Sequence, residues 1–119
     1  MELRVDLHTH SDCSDGTLTP AQLVALAVER QVRLLALTDH DTIDGCVAAA
    51  QACSQQAIQF LPSCELSALW RGREIHIVGL RVNVDAAALT AHLSSVRAQR
   101  VTRMQAIGER LTRCGLDGA

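Results

Sequence analysis

The order of segments in the first half of the chain limits the folds that it can adopt. Three short apolar segments indicate strands, and the two segments between them have helical patterns. The predicted strands are Leu3–His8, Leu34–Thr38 and Ile58–Leu61, with an extension to Glu65 left open, and the predicted helices are Thr19–Gln31 and Asp44–Gln55. Thr19-Pro20 has the order of an N-cap followed by proline at the first helical position. Strand, helix, strand, helix, strand is typical of right-handed crossovers and a largely parallel sheet, so the sequence predicts an α/β fold.

The pattern changes in the second half of the chain. A fourth strand is predicted at Glu74–Leu80, after a turn at Arg71-Gly72. From Asp85 onward, apolar residues recur at helical spacing and predict one or two helices. We therefore expect two parts, residues 1–84 and residues 85–119, with the arginines of the second part on its solvated face.

Composition narrows the class of protein further. The 119 residues suit one modest core, and a hydrophobic content of 48% excludes intrinsic disorder. A net charge of −2 argues against general electrostatic binding of nucleic acid. The five cysteines are scattered without Cys-x-x-Cys spacing, which favours reduced thiols. With no long apolar run and no sign of a signal peptide, the sequence predicts a cytoplasmic protein without a membrane partner.

A His-x-His motif lies at the end of the first predicted strand. Because side chains alternate along a strand, His8 and His10 point the same way while Thr9 points opposite. Two neighbouring imidazoles can close on one divalent metal ion. The alternative for this motif alone is a surface loop that carries two histidines.

Other residues of the metal-binding type follow the other predicted strands. Asp15 lies in the loop after the first strand, His40 follows the second, Glu65 follows the third, and His76 lies within the fourth. The carboxyl ends of parallel strands form the functional edge of such sheets. The apolar neighbours of His76 predict burial, where a charged imidazole is costly unless it is paired or bound to metal.

Each of these residues also has an ordinary structural explanation. His76 fits a core histidine with a satisfied ring, His40 fits a turn and helix cap, and Glu65 fits a cap or a salt bridge. His92 is assigned to a helix surface. Four of the five histidines nevertheless fall at one predicted edge, together with two carboxylates, and independent explanations account poorly for that coincidence.

In combination these motifs resemble a known family. They resemble the PHP (polymerase and histidinol phosphatase) superfamily, and most closely its TrpH/YciV branch of phosphoesterases, which includes 3′,5′-nucleoside bisphosphate phosphatases and a 5′-to-3′ exoribonuclease acting on short RNA. The motifs are Asp6-Leu7-His8-Thr9-His10-Ser11, Ser14-Asp15-Gly16-Thr17, Thr38-Asp39-His40-Asp41-Thr42, Glu65 and Ile75-His76.

The resemblance implies a distorted βα barrel, similar to a TIM barrel, with up to three divalent metal ions. Manganese is the foremost candidate, and zinc, iron or magnesium are alternatives. A metal-activated water would be the nucleophile, with no side chain in that role. The implied ligands are His8 and His10 for the first metal, Glu65 bridging the first and second, His76 for the second, and Asp15 and His40 for the third. Asp6 and Asp39 would orient imidazoles from behind, while Ser11, Asp12 and Asp41 are assigned to loops and caps.

The chain departs from the family pattern after His76. A closed barrel of this type needs about 250 residues, and relatives complete the site with histidine and aspartate ligands that have no counterpart here. We therefore expect an N-terminal part of a phosphoesterase that lacks the C-terminal half of the barrel and has little activity alone. Its substrate would be a small phosphorylated molecule, either a nucleoside bisphosphate or a short RNA. The alternatives are a histidinol-phosphate phosphatase and, from another class, a non-catalytic fragment that binds metal or a half-barrel that forms a homodimer.

Overall fold

The computed structural model describes residues 3–116 and residue 118. The outer ends of the two expected parts, at residues 1, 2, 117 and 119, lie outside the described residues. The elements in chain order are β1 Arg4–Thr9, α1 Pro20–Glu29, β2 Val32–Leu37, α2 Cys46–Ser54, β3 Gln59–Pro62, β4 Cys64–Trp70, β5 Arg73–Gly79 and α3 Ala87–Arg113. The predicted α/β fold is confirmed, and its first five elements alternate as expected.

The first three strands form a parallel sheet in the order β1-β2-β3. In the central strand β2, Leu35 pairs with Asp6 on one side and Phe60 on the other. Parallel neighbours in one sheet need a crossover connection between them, and α1 and α2 supply these crossovers. The three carboxyl ends therefore lie at one edge of the sheet.

The core is built from small aliphatic side chains. Its buried cluster consists of Val24, Ala27, Leu35, Leu37, Ala49, Cys53 and Ile58. Phe60 is only partly buried and packs against this cluster. Full burial of a leucine or valine side chain contributes about 1.5–3 kcal/mol, so β2, α1 and α2 are held mainly by aliphatic packing.

The predicted start of α1 is confirmed. The Thr19 hydroxyl accepts a hydrogen bond from the Gln22 backbone N–H at 3.2 Å, and the Gln22 side chain accepts one from the Thr19 N–H at 2.9 Å. This reciprocal capping box, with Pro20 at the first helical turn, fixes where the loop from β1 enters the helix.

The prediction of a largely parallel sheet is wrong for the last two strands. Instead of extending β3 to Glu65, the chain begins a separate strand, β4, which pairs with β5 in an antiparallel hairpin. The predicted turn is present: Arg71 and Gly72 both have positive φ angles, 48° and 76°, as in the tight turns that suit hairpins. The apolar residues of β3 and β4 follow one another closely in the sequence, so the turn at Arg71-Gly72 was the only signal of the hairpin.

Two compact units divide the chain, Met1–Asp85 and Ala86–Ala119. The second unit contains α3, one helix of 27 residues where the sequence left one or two open. The assignment of these parts as domains stays a prediction. Among the described residues, no helix has the length and apolar character needed to cross a membrane.

The five cysteines are all unpaired and differ in accessibility, which generates a prediction. Cys13 and Cys114 are exposed, whereas Cys46, Cys53 and Cys64 are buried. Burial raises the pKa of the Cys64 thiol to about 11 and also raises the pKa of Cys46 and Cys53. Because the thiolate is the reactive form, we expect two thiols to react rapidly with Ellman's reagent at pH 8. All five should react in guanidinium chloride, and a third rapid thiol in the native protein would contradict the packing of α2 and β4.

Candidate metal centre

The end of β1 places two imidazoles beside one carboxylate. The Thr38 N–H donates to the Thr9 carbonyl at 2.8 Å, and the Thr9 hydroxyl donates to the Ala36 carbonyl at 2.7 Å, so this strand end is anchored to β2. Nε2 of His8 lies 2.9 Å and Nε2 of His10 lies 3.1 Å from Oε2 of Glu65. The structure therefore brings the two histidines of the motif to the same carboxylate, as strand alternation predicted.

Glu65 reaches this position through an extension of the sheet edge. His40 forms an isolated parallel bridge with Glu65, in which the Glu65 N–H donates to the Asp39 carbonyl and the Asp41 N–H donates to the Glu65 carbonyl, both at 3.0 Å. The side chain of Glu65 is only 8% exposed. The bridge joins the end of β2 to the start of β4 and fixes a buried carboxylate at the carboxyl edge of the parallel sheet.

A second carboxylate joins the cluster from the loop after β1. Asp15 Oδ1 lies 3.1 Å from Nδ1 of His10, and Asp15 Oδ2 lies 3.4 Å from Nε2 of His40. Nδ1 of His40 is 3.7 Å from Oε2 of Glu65. The side chain of Asp15 is 65% exposed, so the cluster has a buried carboxylate at its floor and an open one at its rim.

His76 completes the cluster from β5, but its surroundings differ from the prediction. Nδ1 of His76 lies 3.2 Å from Oε1 of Glu65. The imidazole is 39% exposed, and its neighbours Ile75 and Ile77 are also exposed. The expected apolar burial is therefore wrong, because β5 lies at the edge of a two-stranded sheet rather than inside a covered one.

Hydrogen bonds and nearby charges shift the pKa values of both Glu65 and His76. Burial is the largest single influence on the pKa of Glu65 and raises it, but the hydrogen bond from His8 and the charges of the nearby imidazoles outweigh burial and lower the pKa overall. The hydrogen bond to Glu74, at 3.2 Å, is the main reason that the pKa of His76 is raised. The negative charge of Glu65 acts in the same direction on His76.

Two ring nitrogens in the cluster lack hydrogen bonds. Nδ1 of His10 and Nδ1 of His40 are buried and have no hydrogen-bond partner among the described residues. The contact of His10 with Asp15 is short at 3.1 Å, yet its direction does not satisfy hydrogen-bond geometry. Buried polar atoms are normally paired, and an imidazole nitrogen with a free lone pair is a good ligand for divalent metals. The donor set therefore fits a metal centre.

The same side chains fall into three groups whose ligand atoms lie within 4.8 Å of one another. The groups are His8, His10 and Glu65; His10, Asp15 and His40; and His40, Glu65 and His76. Each group contains the residues that the family resemblance implied for one metal, and neighbouring groups share a ligand. The structure thus gathers all six predicted ligands, while their binding of metal stays a prediction.

The expectation for Asp6 and Asp39 is corrected. Asp6 Oδ1 accepts a hydrogen bond from the backbone N–H of His8 at 3.3 Å, and the Asp39 carboxylate accepts hydrogen bonds from Ser11 and Ser14. Within residues 3–116, neither carboxylate bonds to an imidazole ring. Asp6 lies two residues before His8 and bonds to the backbone of that residue instead of its ring, whereas Asp39 lies directly before His40 and its carboxylate bonds to the loop after β1.

Sequence reasoning missed Glu74, whose carboxylate contacts the ring nitrogen of His76 that does not face Glu65. Glu74 Oε1 lies 3.2 Å from Nε2 of His76, whose other nitrogen faces Glu65. Glu74 and His76 are two residues apart on one strand, so they share a face, and this spacing was the available signal. His92 lies on α3 and is exposed, as predicted.

The fold and the cluster together define a class: an α/β domain with a histidine–carboxylate centre at the carboxyl edge of its parallel sheet. The sequence model of the PHP domain matches residues 6–108, which is most of the chain. The chain therefore belongs to the PHP domain family, whose members are metal-dependent phosphoesterases and related hydrolases.

Two relatives illustrate the activities found among similar proteins. The chain is 42% identical over 119 residues to a 5′-3′ exoribonuclease of Haemophilus influenzae, covering 100% of the chain and 43% of that protein. It is 42% identical over 114 residues to a 3′,5′-nucleoside bisphosphate phosphatase of Chromobacterium violaceum, covering 96% of the chain and 40% of that protein. The chain thus spans about two fifths of the length of these relatives.

Solved structures agree with this assignment. An amidohydrolase from Chromobacterium violaceum, with sulfate bound and no metal, superposes with a TM-score of 0.88 at 42% identity, covering 97% of this chain and 40% of that one. A protein from Bifidobacterium adolescentis, proposed to be a metal-dependent phosphoesterase, gives a TM-score of 0.85 at 28% identity over 93% of this chain and 39% of that one.

Removing a shared ligand should lower the metal content of the purified chain. We expect His10→Ala and Glu65→Ala each to lose more bound manganese or zinc than His92→Ala, because His10 and Glu65 each belong to two of the three groups. Elemental analysis after dialysis against the metal measures this. Equal metal content in all three variants would refute the ligand assignment.

Proposed function

We propose that this chain forms the N-terminal part of a metal-dependent phosphoesterase that hydrolyses phosphate esters of nucleotides or short oligonucleotides. The observation that carries the proposal is the Glu65 carboxylate with four imidazole nitrogens within 3.7 Å. The named activities of the relatives, one on nucleoside bisphosphates and one on RNA, support the class of substrate.

The roles of the residues in this proposal follow from their positions. His8, His10 and Glu65 would hold one cation, Glu65 and His76 a second, and Asp15 and His40 a third. Bound there, divalent cations would supply an activated water for attack on phosphorus and offset charge on the phosphoryl oxygens.

The side chains themselves fix the geometry of the centre. Glu65 is buried, and its backbone N–H and carbonyl are both hydrogen-bonded to the segment after β2, so its side chain begins from a fixed point of the sheet edge. Asp15 lies at the exposed rim of the cluster. In this proposal no side chain acts as the nucleophile, since the side chains that line the cluster are imidazoles and carboxylates of the metal-ligating type.

Manganese is the proposed metal, with zinc, iron or magnesium as alternatives, since imidazole and carboxylate donors suit borderline and hard divalent ions. We also propose a cytoplasmic location, which the five unpaired cysteines support. The residues that grip the rest of the substrate are proposed to come from the C-terminal half of the barrel, because relatives with these activities are more than twice as long as the matched segment.

A segment exchange tests this function. The chain is substituted for the matching 114-residue segment of the Chromobacterium violaceum phosphatase, and phosphate release from 3′-phosphoadenosine 5′-phosphate is followed with Mn²⁺. We expect the chimera to be active, His10→Ala to lower kcat/KM by at least ~100-fold, and His92→Ala to leave it unchanged.

The outcomes separate the function from its alternatives. A folded chimera that holds manganese but releases no phosphate from this substrate or from a 5′-phosphorylated short RNA overturns the substrate class. Activity on histidinol phosphate alone would replace it with the histidinol-phosphate phosphatase. A chain that binds metal and elutes as a dimer in native mass measurement, with an inactive chimera, would favour the non-catalytic half-barrel.

A further inference from the structure

We propose that Asp39 is a positioning residue: its buried carboxylate holds the loop of residues 11–16, and thereby Asp15, against the histidines of the cluster. The inference rests on the proposed function, since it concerns how one of the three groups is held together. It assigns to Asp39 a role that differs from orienting an imidazole, and it gives Ser11 and Ser14 a role as its partners.

The hydrogen bonds of the Asp39 carboxylate all lead to this loop. Oδ1 accepts hydrogen bonds from the Ser11 N–H at 2.7 Å and from the Ser14 hydroxyl at 2.6 Å, and Oδ2 accepts one from the Ser11 hydroxyl at 2.6 Å. Asp39 is 1% exposed and Ser11 is fully buried. Short bonds from three donors to one buried carboxylate are strong, because the acceptor is charged and water does not compete.

The loop is closed around the same residues. The N–H groups of Ser14 and Gly16 both donate to the Ser11 carbonyl, at 3.1 and 2.9 Å, and the Cys13 N–H donates to the Ser11 hydroxyl at 3.2 Å. Ser11 and Ser14 therefore lie at the two ends of a compact turn, and the Asp39 carboxylate accepts hydrogen bonds from both residues. Asp15 follows Ser14 directly, so the direction of its side chain depends on this turn.

Ser14 links the buried carboxylate to the exposed one. Its hydroxyl lies 2.6 Å from Asp39 Oδ1 and 3.4 Å from Asp15 Oδ1. Asp15 is mostly exposed, and an exposed side chain on a loop would lose much conformational freedom on binding a metal. Fixing the loop in advance reduces that loss, which is the physical reason for a buried anchor behind an exposed ligand.

Gly16 shows that the loop has little room to take another path. A Cβ atom at this position would lie 2.5 Å from the His10 carbonyl oxygen and 2.9 Å from the Ser11 carbonyl carbon, both backbone atoms. The loop thus packs directly on the end of β1. The packing of the loop on the end of β1 and its hydrogen bonds to Asp39 together set the 3.1 Å distance between Asp15 Oδ1 and His10 Nδ1.

Ser14→Ala tests the anchor without removing any proposed ligand. Hydrogen–deuterium exchange of the metal-free chain measures the loop, and elemental analysis and manganese titration measure the site. We expect exchange at residues 12–16 to accelerate and the affinity for the metal at Asp15 to fall by ~10–100-fold, with the two other groups unaffected. Ser14→Thr, which keeps the hydroxyl, should restore both values. Ser54→Ala, which removes an exposed hydroxyl bonded to the Gln51 carbonyl at 2.7 Å, is the matched control.

The possible results distinguish failure of this inference from failure of the proposed function on which it rests. Wild-type exchange and metal affinity in Ser14→Ala, or no rescue by threonine, would overturn the positioning role. If the wild-type chain binds no metal but Ser14→Ala still accelerates exchange only in this loop, the anchor stands and the assignment of metal ligands in the proposed function fails. Accelerated exchange throughout the first unit would show a general structural role and likewise overturn the inference.

Discussion

The carboxylate of Glu65 is the constraint on which the rest of the centre depends. Imidazoles contributed by two strands and by residues just beyond strand ends converge on its two oxygens. Both ring nitrogens of His10 and of His40 face carboxylates. A neutral imidazole carries one N–H, so one nitrogen of each ring must aim its lone pair at an anion or take up a second proton. Bound divalent cations would resolve this conflict, because lone pairs and carboxylate oxygens could then bind the same positive charge.

The fold creates this convergence by changing strand direction at one point. The parallel sheet delivers His8, His10 and His40 to one edge, but it cannot return a strand beside Glu65. The hairpin does so: Glu65 pairs with Val78 and Ser67 pairs with His76, which puts His76 diagonally opposite Glu65 on the same face. The antiparallel hairpin therefore brings His76 within 3.2 Å of Glu65.

Local patterns predicted the parts of the site that depend on strand ends and alternation. His8, His10 and His40 follow directly from the positions of β1 and β2, and the cap at Thr19 marks the start of α1. The partners of buried carboxylates could not be predicted in this way, because Asp39 bonds to residues 25 and 28 positions away. The exposure of His76 was also wrong, since apolar neighbours in a sequence do not show whether a second layer covers their strand.

The gradient of exposure across the centre separates two tasks. Glu65 is buried, whereas Asp15 and His8 are largely open, with exposed side-chain fractions of 65% and 54%. The buried floor can fix where cations lie, and the open rim leaves space for a phosphate ester. The relatives fit this division: an exoribonuclease and a nucleotide phosphatase match this segment at the same 42% identity. Because the segment is equally similar to two enzymes whose names give different substrates, the degree of identity over this segment does not distinguish between those substrates.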